Sequence, residues 1–195
     1  MKKFLSLVLC VLLTLSLAGC KSVSKSKPSD AATRFHHVAI DVAGYGVIKL
    51  ELDSKAAPIT VNNFLTLAED GFYDGLTFHR IMEGFMMQGG APKSIADTPD
   101  AIYGEFALNG WNNPISHTRG VISMARPEAF DGASSQFFIV HKDSLFLDGQ
   151  YAAFGYVTEG MEVVDAVCES SRPIDGNGTI LPEEQPVITS ITVID

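Results

Sequence analysis

The sequence predicts a mainly β protein whose short strands close into an antiparallel barrel. Two observations carry this: strand-length runs bounded by turn residues recur down the chain, and only two segments keep a helical period. His37 to Val42 and Val47 to Leu52 alternate apolar and polar side chains around Gly44-Tyr45-Gly46, the pattern of a hairpin with one buried face. Ile48, Leu50 and Leu52 are expected to point inward. Pro58 suits the first turn of a helix. Val61, Phe64, Leu65 and Ala68 follow it at helical spacing, and Gly71 ends the pattern. Strand-like runs then cover Thr77 to Met82, Phe85 to Gln88, Gly120 to Ala125, Gln136 to Val140 and Ala152 to Val157. A second helix is expected from about Met161 to Glu169, with Met161, Val164, Val167 and Cys168 as its inner stripe, and Val187 to Ile194 alternates again. Without an internal repeat or a second linker, residues 35–195 read as one domain with a sizeable core.

The first 34 residues read differently. Met1-Lys2-Lys3, an apolar run from Phe4 to Leu17 and the small pair Ala18-Gly19 form an export signal over residues 1–19. The run falls short of the ~20 residues that a membrane-spanning helix needs. Leu17-Ala18-Gly19-Cys20 is similar to a bacterial lipobox, which implies that Cys20 carries lipid and becomes the first mature residue. The expected product is an extracytoplasmic lipoprotein held at the cell membrane by its acyl chains, with residues 20–34 as a flexible basic spacer. That spacer could rest on anionic headgroups, though a soluble linker explains its composition equally well. The other cysteines are Cys10, inside the signal, and Cys168, so no disulfide framework is expected and Cys168 reads as a small buried hydrophobe. The net charge of -9 is unevenly spread: residues 1–34 hold six Lys or Arg and only Asp30, leaving eight basic and twenty-two acidic side chains beyond them, a charge of -14. Such a balance argues against nucleic acid as a partner.

Functional residues concentrate in two strand-like segments. Phe78-His79-Arg80-Ile81 leads to Gly84-Phe85-Met86-Met87-Gln88-Gly89-Gly90, and Ser135-Gln136-Phe137-Phe138-Ile139 comes later. With these motifs in this order, the chain from about residue 36 to its end resembles the cyclophilin-type peptidyl-prolyl isomerases. The resemblance implies a closed eight-stranded antiparallel barrel capped by two helices. It also implies a reaction, rotation about X-Pro bonds, that uses no cofactor and no metal.

It further implies roles. Arg80 would be the catalytic donor; Phe85, Met86, Phe138 and Leu147 would receive the proline ring; Gln88 would steady Arg80, and Gln136 would meet the substrate backbone. Ala125 and Arg126 match the edge along which family members hold extended peptide, and only the position of Arg126 carries over, not its side chain. In Leu145-Phe146-Leu147-Asp148-Gly149-Gln150-Tyr151, Phe146 stands where many eukaryotic members have tryptophan and Tyr151 where they have histidine. Both changes occur in bacterial-type members and keep an aromatic rim, so Phe146 and Tyr151 stay in the substrate-binding set while cyclosporin is expected to bind weakly at most. The implied partners are proline-containing polypeptides, with exported or envelope proteins as clients of a monomeric enzyme.

Taken singly, Arg80 reads as a surface ion-pairing residue and the apolar side chains as ordinary core; the joint spacing favours a site. His79 reads as structural, since the reaction transfers no proton. A hydrolase could be sought in Ser134, Ser135 and His141, but strand alternation separates neighbours and no nucleophile elbow is present. His36, His37, His79, His117 and His141 lack metal-ligand spacing. The rival of another class is a scaffold that binds proline peptides without turning them over, for which Arg80 would be dispensable.

Overall fold

The structure is a computed structural model that describes residues 34–195. The signal over residues 1–19, the lipid site Cys20 and the spacer as far as residue 33 lie outside the described residues. Among the described residues, no helix is long and apolar enough to cross a membrane. At their start, Arg34 already holds Asp53 through Nη2 at 2.8 Å.

All eight expected strands form. β1 (Phe35–Val42) and β2 (Gly46–Asp53) make the first hairpin. Its register sets Ile40 opposite Ile48 and Val38 opposite Leu50. Ile48, Leu50 and Leu52 are fully buried, so the alternation seen in sequence places one face of the hairpin in the core. β3 (Phe78–Met82), β4 (Met86–Gly89), β5 (Val121–Met124), β6 (Phe137–Val140), β7 (Ala153–Glu159) and β8 (Ile188–Val193) join them in one sheet of order β3-β4-β6-β5-β7-β2-β1-β8.

The closed barrel expected from the sequence does not form: the sheet is an open, curled half-barrel with β3 and β8 as its ends. The residues leading into these strands are joined at the isolated bridge of Thr77 with Val187, and Gly75 N–H donates to Ile188 O at 2.8 Å. The reason lies on the outer edge of β3, which is already taken: Ile81 N–H donates to Gly178 O at 2.8 Å, and Ile180 N–H donates to His79 O at 3.1 Å. Residues 178–180 thus occupy positions that a closing strand would need.

Helix α1 (Pro58–Glu69) covers the inner face with Thr60, Val61, Phe64 and Ala68. The Phe64 ring packs 5.2 Å from Tyr73, 5.4 Å from Phe137 and 5.3 Å from Phe154. Its N-cap position, Ala57, offers no side-chain bond. Buried Glu105 supplies the cap from a distance, accepting from Ile59 N–H at 3.0 Å, Thr60 N–H at 2.8 Å and the Thr60 hydroxyl at 2.7 Å. Helix α2 (Met161–Ser170) follows Gly160, where φ is +86° and a Cβ would lie 2.3 Å from Val47 O, so only glycine fits. Its buried stripe is Val163, Val164, Val167 and Cys168; Met161, expected within that stripe, is only partly buried against the core. Burial pushes the Cys168 thiol up to about 12, which leaves it unreactive.

Strand alternation divides the sheet into two faces. Ile81, Met87, Phe137, Ile139 and Ile122 belong to the main core. Met86, Phe138, Val140, Val121 and Ala153 form a second cluster with Leu147, Ile115 and Ala56. Consecutive Phe137 and Phe138 serve one face each.

Candidate active site

Register brings the site together. Arg80 pairs with Gln88 across β3 and β4, Gln88 with Phe138 across β4 and β6, and Phe138 with Ser123 across β6 and β5. Directly opposed residues share a face, so four neighbouring strands each add one member of a single row. This row lies with the second cluster, away from the main core.

The row opens into a cleft of about 430 Å³ lined by Arg80, Phe85, Met86, Gln88, Ala125, Arg126, Phe138, Phe146, Leu147 and Tyr151. Of the site residues expected from sequence within the described region, only Gln136 is missing. It lines an adjoining cleft of about 390 Å³ with Gln88, Ala125, Arg126, Pro127, Gly132 and Ser134. The two clefts share Gln88, Ala125 and Arg126.

Arg80 is held in several directions. Its Nε donates to Asn177 O at 2.7 Å, and Nη1 donates to Gln88 Oε1 at 3.3 Å. Nη1 also lies 3.7 Å from Met86 Sδ, and Nη2 lies 3.5 Å from Met82 Sδ. The guanidinium sits 5.9 Å from the Phe85 ring centroid. Gln88 passes the contact on, its Nε2 donating to Gln136 Oε1 at 3.0 Å. The apolar wall is aromatic: Phe85 packs 5.6 Å from Phe146, and Phe138 meets Tyr151 edge-on at 5.9 Å.

Arg126 turns to its own surroundings. It donates to Gln150 O at 3.0 Å, Pro127 O at 2.9 Å and Glu128 O at 3.0 Å. Its guanidinium lies 4.9 Å from the rings of Phe106 and Tyr151 and 5.1 Å from that of Phe130. Stacked and bonded in this way, it stiffens the rim that carries Tyr151.

Beneath the cleft, fully buried His117 stacks on Phe138 with ring centroids 6.0 Å apart. Its Nδ1 lies 2.8 Å from Asp148 Oδ1 and its Nε2 lies 3.0 Å from Ser123 Oγ. Burial holds its pKa below the usual histidine value despite the carboxylate. The neutral tautomer with the proton on Nδ1 satisfies both contacts, donating to Asp148 and accepting from Ser123. Asp148 adjoins Leu147, so His117 ties the Phe146–Leu147 turn to the strands beneath Phe138.

The rival arrangements come apart. Ser135 Oγ donates to Gly90 O at 2.9 Å, while His141 accepts at Nδ1 from Gly84 N–H at 2.9 Å and faces Asp165 through Nε2 at 3.2 Å. The serine and histidine therefore serve separate networks. His79 keeps a structural role: burial lowers its pKa, and a hydrogen bond with the Thr77 backbone partly offsets that effect. No group of three His, Cys, Asp or Glu side chains fit to hold a metal occurs among the described residues. Met82 and Asn177 were missed in sequence: Met82 contributes a sulfur contact, and Asn177 acts only through its backbone carbonyl.

Comparison with known proteins gives the family and the fold. Residues 37–193 match the family described as cyclophilin type peptidyl-prolyl cis-trans isomerase. Peptidyl-prolyl cis-trans isomerase A of Dickeya dadantii is 39% identical over 178 residues, covering 89% of this chain and 92% of that protein. Isomerase B of Escherichia coli is 36% identical over 157 residues, covering 76% and 94%. A Cryptosporidium parvum cyclophilin crystallised in the presence of the dipeptide Ala-Pro superposes with a TM-score of 0.70 at 26% identity, covering 82% of this chain and 99% of that one.

Proposed function

Since the chain belongs to the cyclophilin-type peptidyl-prolyl cis-trans isomerases and accelerates cis/trans exchange at X-Pro bonds, we propose that Arg80 is its catalytic donor and the aromatic cleft its proline pocket. The observation that carries this is the meeting of a tethered guanidinium with an apolar cleft along one row of the sheet.

An X-Pro bond rotates against a barrier of ~18 to 20 kcal/mol, and unaided exchange takes ~10 to 100 seconds. Turnover of hundreds per second needs about 5 to 7 kcal/mol of selective stabilisation. In the twisted transition state the imide nitrogen becomes pyramidal and regains its lone pair, so a donor aimed at it helps there more than in the planar ground state. A charged donor contributes ~1.5 to 3 kcal/mol. Orientation and loss of water must supply the remainder. Phe85, Met86, Phe138 and Leu147 fit that task by enclosing the ring and excluding the water that favours the polar planar amide, while Phe146 and Tyr151 complete the rim.

Gln88 holds one guanidinium nitrogen and passes a hydrogen bond to Gln136, leaving the Gln136 amide nitrogen for a substrate carbonyl. The Ala125 amide is already committed to Gln136 O at 2.9 Å. Main-chain pairing with an extended peptide therefore falls to the Ala125 carbonyl and the Arg126 backbone. The clients are exported or envelope proteins, a reading supported by the signal and lipobox patterns ending at Cys20.

NMR exchange on a short Ala-Pro-Phe peptide tests the role of Arg80. Arg80→Ala should slow turnover about 10- to 100-fold, the equivalent of one charged hydrogen bond, with a much smaller change in peptide affinity. Equal catalysis by wild type and variant would remove Arg80 from the mechanism.

A further inference from the structure

Of the contacts holding Arg80, the shortest runs to a backbone carbonyl. Nε to Asn177 O is 2.7 Å, against 3.3 Å from Nη1 to Gln88 Oε1. A bond through Nε fixes the plane of the guanidinium as well as its position. The direction in which its remaining N–H groups face the cleft therefore depends on where the 177–178 peptide sits.

Little apolar burial holds that peptide. Asp175, Gly176 and Asn177 are exposed, and of residues 175–178 only Gly178 is buried. The Asp175 carboxylate does the holding. Oδ1 accepts from Asn177 N–H at 2.9 Å and Thr179 N–H at 3.1 Å, and Oδ2 accepts from the Thr179 hydroxyl at 2.8 Å. Ile174 N–H closes the base of the loop on Thr179 O at 2.9 Å. The loop then docks on both sides of Arg80, through Gly178 O to Ile81 N–H and through Ile180 N–H to His79 O. Gly178 permits this approach: its φ is +88°, and a Cβ there would lie 2.5 Å from Met82 Cγ and 2.7 Å from Ile81 O.

We propose that Asp175 is a positioning residue for the isomerase reaction, folding the 174–179 loop so that Asn177 O clamps Arg80 Nε and aims the guanidinium into the proline cleft. Asp175 has no assigned contact with substrate and acts through Asn177 and Arg80. The inference rests on Arg80 being the catalytic donor. Arginine has several freely rotating side-chain bonds, and catalytic groups must be held within ~0.5 Å and ~10–20° of the working geometry. The carboxylate meets that requirement through the three bonds it accepts.

The test combines turnover of the Ala-Pro-Phe peptide with the Arg80 Nε–Hε signal followed by ¹⁵N NMR. Asp175→Ala should lower kcat about tenfold, within the range for a misplaced catalytic group, while KM changes less than about twofold and Arg80 Hε exchanges faster with water. Asp175→Asn keeps a capping oxygen and should restore most of the activity and the protected Hε. Thr179→Val deletes one of the three bonds without touching a buried side chain. It should shift both readouts in the same direction by a smaller amount, which keeps the test open if Asp175→Ala does not fold. Wild-type kcat in folded Asp175→Ala, or a lower kcat with Arg80 Hε unchanged, overturns the inference. Arg80→Ala separates the two claims: if it retains full activity, the premise about Arg80 fails, whereas its inactivity beside a fully active Asp175→Ala sinks the role of Asp175 alone.

Discussion

His117 sets part of the protein's response to pH. Burial favours its neutral ring, so its native pKa lies below the ordinary value of about 6.5. The unfolded chain consequently binds more protons than the native one between those two values. Stability from this group is full above the ordinary value and is lost as pH falls toward the native pKa. His37 acts in the opposite sense because its bond to Asp195 raises its pKa, but both partners are partly open to solvent, which screens the pair. The urea midpoint should decline as pH drops from 7.5 to 5, while the His117 ring resists protonation in NMR titration; a flat midpoint would contradict this. Phe146 supports a second prediction at this scale. It is 65% exposed, and its phenyl ring has no N–H to donate, so cyclosporin should inhibit only weakly, and nanomolar inhibition would overturn that reading. Arg80, Phe85 and Phe138 were legible in sequence because side-chain type carries their proposed chemistry. Asn177 was not, since any residue supplies a carbonyl, and the value of Asp175 depends on a loop docking against a strand roughly a hundred positions away.

The helix that covers the sheet depends on a residue far from it in sequence. α1 begins at Ala57 and Pro58 without a capping side chain of its own, and both oxygens of Glu105 take over the orphan N–H groups. Glu105→Ala would leave those buried donors unmet and remove the charge facing the positive end of the helix dipole. A loss of about 2 to 3 kcal/mol in unfolding free energy is expected, in the range for a hydrogen bond to a charged group, measurable by urea denaturation. The first hairpin and both helices were readable from apolar periodicity because each buries one face, while β5 and β6, buried on both faces, were readable as short continuous apolar runs. Closure of the sheet was not readable. It turned on which segment would pair with the outer edge of β3, and nothing local in Phe78 to Met82 distinguishes β8 from residues 178–180. Met161 shows a smaller version of the same gap: its spacing fits the inner stripe, but at the first turn of α2 it reaches the rim while Val163 takes the buried place.

Across the whole molecule, charge and attachment belong together. Residues 35–195 carry -14, while residues 20–34 hold four basic side chains, so under the proposed anchoring a net-acidic domain would be tethered beside a net-anionic membrane and held off its surface. Mass spectrometry of the mature protein should find a diacylglyceryl-modified amino terminus at Cys20, and an unmodified start elsewhere would rule the tether out. The proposed proline cleft lies on the side of the sheet away from the main core, and this has its own result for traffic. On that proposal a long polypeptide would not need to be threaded through an opening or released by a gate; it would lay one bend across the surface while both tails trail free. Encounters are then rationed by the client, for as long as its own collapse leaves that bend uncovered.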